Sequence, residues 1–250
     1  MIYREFLVMR KALLWFLGIA LVCSLIAFGL SASHDHRTTN GAISELLVPV
    51  AYTVATGFAA IFGVALGNAS REPSRVLWTL PESRLRSALS VIAVDIAAIT
   101  LAVAGAMAAV LVAVYFYALI GMAAPQIKWN VDWLTVARML VFNYAVYGWC
   151  ALAGMLLRRM AYGGIIALPA MIFIMIPTQI HSALGVFFRY LCLVDPWVIV
   201  QAAHPGAKED PLAQFLAWVT PESSTMLLCA IALGTCAVAT ALWQRSEVLA

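Results

Sequence analysis

The chain has 250 residues, 64% of them hydrophobic and 11% charged, with a mean hydropathy of +0.95. Soluble domains are about 45–50% apolar and about 25% charged, so this composition excludes an ordinary soluble globule and describes an integral membrane protein. The net charge of +3 is small and traces to arginines that set topology, which leaves no argument for nucleic-acid binding.

In MIYREFLVMRK, residues 1–11, Ile2, Tyr3, Phe6, Leu7 and Met9 share one helical side, apart from Arg4, Glu5 and Lys11. That pattern suits an interfacial amphipathic helix on the cytoplasmic face; a continuous extension of the first span is the alternative. The apolar run that follows, Ala12 to Ser31, is longer than the 7–15 residues of a signal-peptide core and is read as a retained span.

A crossing helix needs about 20 mostly apolar residues. Six stretches qualify: Ala12 to Ser31, Ser44 to Leu66, Ala88 to Ile120, Leu134 to Leu157, Gly163 to Ile180, and Pro221 to Trp243. The third would measure about 50 Å at 1.5 Å per residue, and no turn signal divides it, so one tilted, protruding helix is expected. With the N-terminus in the cytoplasm, ten of the 15 basic residues fall on the cytoplasmic side, as the positive-inside rule requires. Both termini are then cytoplasmic.

Between the second and third spans lies REPSRVLWTLPESRLR, residues 71–86. Pro73 suits the first turn of a short helix and Pro81 ends it. Ser83 caps the third span, with Arg84 and Arg86 in its opening turns, where the helix dipole disfavours cations by under about 1 kcal/mol each. Leu77, Trp78 and Leu80 are thereby offered on an arginine-flanked stub, either to the lipid interface or to a soluble partner.

Small residues mark helix contacts. Gly63 and Gly67 form a GxxxG, and Ala98, Ala102, Ala106, Ala109 and Ala113 form a stripe along the third span. Both allow close backbone approach, the main source of helix association in lipid. Within the spans, Asp95 and Asn143 are candidate members of an intramembrane polar site, because polar groups there are expensive and expected to have partners. Arg138 is expected to snorkel to the outer interface beside Trp133, and Asn143 to bond between helices.

Residues 182–219 hold a further apolar segment, but Arg189 and Asp195 make a crossing costly. Three helix starts follow one another: Asp195-Pro196, Asp210-Pro211 and Thr220-Pro221, each a cap followed by proline at the first helical position. Residues 181–220 are therefore expected to form an outer-face loop of short re-entrant or interfacial helices, with a seventh span as the alternative.

The chain contains no GxxxxGK[ST], HExxH, GxSxG or CxxC pattern, so no ATP site, catalytic site or redox pair is encoded in a recognisable form. His34 and His36 beside Asp35, and the separate His181 and His204, read as solvated loop residues and not as metal ligands. The five cysteines read as buried thiols.

LPESRLR running into a long third span, after a polar turn and a short helix, resembles the coupling region of ABC-2 type ABC transporter permeases. RYLCLVDPWVIVQAA is similar to the outer segment these permeases place before their last helix, and the six-span order with cytoplasmic termini matches along the whole chain. The run before the short helix is reduced to Ser70-Arg71-Glu72-Pro73, a departure from many relatives.

The resemblance implies a single transmembrane domain over 1–250 that forms the permease subunit of an ATP-driven exporter in a bacterial inner membrane. It implies pairing with a second permease copy and with a separate ABC ATPase that carries the ATP and Mg²⁺; the chain itself needs no cofactor and is not an enzyme. Residues 71–86 become the coupling segment, with Arg75, Leu77, Trp78, Leu80, Arg84 and Arg86 at the ATPase. The scarcity of charge in the spans suits an apolar or amphiphilic substrate. An ion-coupled or facilitative carrier and a non-transporting membrane assembly protein remain the alternatives.

Overall fold

Lipid supplies no hydrogen-bond partners, so a chain this apolar must satisfy its backbone within each segment. The computed structural model describes residues 2–34, 53, 55–67, 84–120, 133–156, 183–202 and 211–245. Among these residues 94% are helical and none is in a strand. The elements are α1 (Ile2–His34), α2 (Ala55–Gly67), α3 (Arg84–Leu119), α4 (Trp133–Leu156), α5 (Ala183–Cys192), α6 (Pro196–Ala202), α7 (Pro211–Phe215) and α8 (Pro221–Arg245).

Four helices contain segments long and apolar enough to cross a membrane: Met9–Ile26, Ala88–Tyr117, Trp133–Leu156 and Pro221–Gln244. They account for the first, third, fourth and last of the six expected stretches. α2 covers the second half of the second stretch and is a shorter apolar helix. The fifth stretch, Gly163 to Ile180, lies outside the described residues. α1 runs without a break from Ile2, so the amphipathic start is helical and continuous with the first span. α3 is a single helix of 36 residues, undivided as expected.

The long helices hide small side chains and display large ones. All five alanines of the α3 stripe are buried, whereas Leu101, Val112, Tyr115 and Leu119 on the same helix are exposed. α1 exposes Trp15 (76%) and α8 exposes Met226 (74%) and Leu233 (73%). A soluble bundle does the reverse, because water drives large apolar groups inward. Hydroxyls turn back onto their own helix: Ser24 Oγ donates to Ala20 O at 2.6 Å, Thr100 Oγ1 to Ile96 O at 2.8 Å and Thr240 Oγ1 to Cys236 O at 2.8 Å. Each thus satisfies a polar group without a partner from outside.

The described residues fall into two compact units, Met1–Phe58 with Ser90–Asp132, and Ala59–Leu89 with Trp133–Ala250. In the first, α1 and α3 run parallel: Leu17 lies against Gly105, and further along both helices Tyr117 Oη donates to Leu25 O at 3.0 Å. Phe16 meets Phe58 edge-on at 5.1 Å.

In the second unit the GxxxG of α2 packs on α4. A Cβ on Gly63 would fall 2.9 Å from Cys150 Cβ and press on Tyr147 O, and one on Gly67 would fall 2.8 Å from Gly154 Cα. Both contacts advance in the same direction along the two helices, so α2 and α4 are parallel. α4 also packs along α8, where Gly148 faces the Thr235 hydroxyl and Cys236. Nearer the start of both helices, Trp197 of α6 meets Phe142 of α4 with ring centroids 5.8 Å apart, and its neighbour Val198 joins the cluster against which Leu227 of α8 packs. Phe142 therefore lies level with the region of Leu227, and Gly148 with Thr235, which makes α4 and α8 parallel.

The obstacle at Gly67 is backbone and cannot rotate away, whereas nothing lies within 4 Å of a Cβ placed on Gly234. Gly67→Ala should destabilise the chain by about 1–3 kcal/mol, and Gly234→Ala should range from neutral to a gain of about 1 kcal/mol from helix propensity. Unfolding of both variants in the same detergent, followed by far-ultraviolet circular dichroism, measures the contrast.

Candidate functional site

The polar residues carried into the helices are the natural place to look for function. Asp95, on α3 in the first unit, is buried with 4% exposure. Asn143, on α4 in the second unit, is wholly buried and its Nδ2 donates to Met139 O at 2.8 Å, within its own helix. Arg138 lies on a buried side of the same helix. It is 8% exposed, and its Nη2 donates to Thr135 Oγ1 at 3.3 Å. It sits one residue from Met139 and one turn from Phe142, both fully packed, so the guanidinium runs toward the start of α4 between neighbours and not freely into solvent.

Of the coupling residues, Arg75, Leu77, Trp78 and Leu80 lie outside the described residues. Arg84 is the first residue of α3, and Arg86, with Leu85 beside it, is exposed on the first turn of that helix. Ser83, the expected cap of this helix, lies outside the described residues.

The polar arrangement with the most detail surrounds α5 to α8. All three expected proline starts occur, at Pro196, Pro211 and Pro221. Thr220 caps α8 reciprocally: Ser223 N donates to Thr220 Oγ1 at 3.2 Å, and Thr220 N donates to Ser223 Oγ at 2.7 Å. This is a capping box with serine in the third helical position instead of Glu or Gln. Asp195 caps α6, where Oδ1 accepts from Trp197 N at 2.9 Å.

The elbow between α5 and α6 is tied on both sides. α5 tightens through Leu193 N to Tyr190 O, Val194 N to Leu191 O and Asp195 N to Cys192 O, each 3.1 Å, and Asp195 O then accepts from Ile199 N at 3.2 Å. Cys192 and Val198, three residues to either side of Asp195, enter one buried cluster with Leu212, Leu216 and Val219. The opposite side of α5 exposes Leu184, Phe187 and Tyr190, with Trp197 and Trp218 also open nearby in sequence. Ten residues cannot span about 30 Å of hydrocarbon, and exposed Tyr and Trp suit the membrane–water boundary.

Asp195 itself is 0% exposed, and its Oδ2 has no hydrogen-bond partner among the described residues. Burial pushes its carboxyl up to about 7, against the opposing pull of the backbone N–H groups of Trp197 and Val198. A cap hydrogen bond contributes about 1 kcal/mol, whereas a buried, unpaired charge costs several, so desolvation dominates. The Cys192 thiol is pushed up to about 11, first by burial and then by the charge of Asp195. The Asp-Pro pair announced the cap in the sequence. Burial of the second oxygen has no local signal, since it depends on how the elbow packs.

Among the described residues no group of three His, Cys, Asp or Glu could hold a metal ion, and Asp95 and Asn143 belong to different units. No protein-family model, curated protein or solved structure matches the chain.

Proposed function

We propose that this chain is the membrane-spanning subunit of an ATP-driven exporter of the ABC-2 permease type, working with a separate ATPase and a second permease copy on an apolar or amphiphilic substrate. The observation that carries the reading is the parallel packing of α4 and α8 with a capped elbow of short helices between them in sequence. Two parallel spans require an odd number of crossings in the intervening chain. One crossing by Gly163 to Ile180 meets that requirement, provided that α5 and α6 do not cross; a seventh span there would make α4 and α8 antiparallel. The parallel pairs α1–α3 and α2–α4 likewise fit alternation of six spans with both termini on one side. The permease resemblance requires a six-span order, an outer elbow and a long third helix after LPES; the four membrane-length helices and the undivided α3 running from Arg84 support it.

In this account residues 71–86 dock in the ATPase, and the undivided α3, beginning at Arg84, transmits the resulting movement along one rigid rod. Buried Asp95 favours a second reading, an ion-coupled carrier, because an acid in a span is the usual place to bind a coupling cation. That carrier would transport without any ATPase.

Two experiments separate these readings. In a chain freed of its native cysteines, Asn40→Cys, Gln126→Cys and Ala207→Cys should react with a membrane-impermeant maleimide in intact cells, and Ser74→Cys, Met160→Cys and Val248→Cys should not. External labelling at 248 with protection at 74 would establish seven spans. Leu77→Arg combined with Trp78→Ala should abolish co-purification of the ATPase, since interface anchors of this kind contribute roughly 2 kcal/mol or more, while insertion and permease pairing persist. Equal ATPase recovery by wild-type and variant would remove the docking assignment.

A further inference from the structure

We propose that the α5–α6 elbow is a proton latch: it closes on the protonated Asp195 side chain, and loss of that proton loosens the start of α6 from the buried cluster that holds it. Asp195 lies at the mechanical centre of the elbow. Its N–H bonds the last residue of α5, its carbonyl begins the α6 ladder, and Oδ1 caps Trp197. The remaining oxygen is sealed in with no donor among the described residues. A neutral acid tolerates that position far better than a carboxylate, whose charge is shut off from bulk solvent and, among the described residues, meets only the backbone N–H groups of α6.

Among the described residues, the surrounding elements offer no compensating charge. On α5, the buried Cys192 thiol faces the carboxyl and would itself be opposed by a negative neighbour, and Arg189 is half-buried six residues earlier. On α4, Phe142 meets Trp197, and Arg138 bonds Thr135 and makes no bond to Asp195 among the described residues. α7 contributes Leu212, the turn after it Leu216 and Val219, and α8 contributes Leu227, none of which titrates; Glu222 on the first turn of α8 is exposed. The carboxyl therefore titrates near 7 when the elbow is closed and near 4 when it opens to water.

The sign follows from proton linkage. The closed elbow binds the proton more tightly, so its stability is complete below about pH 4 and declines as pH rises to about 7, beyond which both states are ionised and the dependence stops. The latch is a property of the elbow and holds whatever the chain transports.

Hydrogen exchange of the full chain in lipid nanodiscs tests it, following amides of residues 193–202 at pH 5, 6, 7 and 8 in wild-type and Asp195→Asn, an isosteric cap that cannot ionise. The ratio of wild-type to variant exchange should rise about tenfold per pH unit from 5 to about 7 and then level. A ratio that stays flat overturns the latch, and one that falls with pH shows that the charged cap holds the elbow more tightly, which also overturns it. Asp195→Ser, a cap without a carboxyl, should reproduce the Asn profile. Should either variant fail to insert, wild-type exchange at the elbow, corrected for intrinsic rates and normalised to the α4 amides of residues 139–150 in the same sample, must show the same rise and plateau for the latch to stand.

Discussion

Every feature of this chain follows from one constraint: in apolar surroundings a backbone polar group must find its partner within the protein. Helices meet it along their length, and helix ends are where it becomes hard. The sequence answers with a cap and a proline at two helix starts, Asp195-Pro196 and Thr220-Pro221. Serine and threonine hydroxyls inside the helices bond back one turn, so they add no exposed polarity.

The same constraint decides how the helices associate. Large apolar side chains gain little by leaving lipid, so Trp15, Leu233 and Met226 face outward, and association falls to close contact between small residues. Gly63 and Gly67 bring α2 onto the backbone of α4, and Gly148 brings α4 onto Thr235 of α8. These contacts fix relative direction as well as proximity. From direction comes the parity of crossings between α4 and α8, which is how packing bears on topology, and through topology on the proposed transport function.

What could be read from the sequence was what local chemistry determines. The caps, the proline starts, the undivided α3 and the buried alanine stripe are each written in neighbouring residues. Other features depend on which faces meet. Arg138 could be placed near the start of α4 but not on its buried face, and Asn143 was expected to bond between helices, an expectation to which the bond of its Nδ2 to Met139 of its own helix adds a local partner. The sealed Oδ2 of Asp195 required the elbow to be closed by residues from three further segments. α1 was open between two readings because amphipathicity over eleven residues does not say where a helix stops, and the helix proves continuous from Ile2. The stub at residues 71–83, central to the proposed function, rests on its sequence alone.

An exporter subunit without a phosphate-binding loop must obtain its energy from another chain. The purified protein in lipid nanodiscs, free of other ATPases, is therefore predicted to hydrolyse no ATP, with turnover appearing when it is co-purified with a separately encoded ATPase. ATP hydrolysis by the single chain, proportional to its own concentration, would contradict the two-component account.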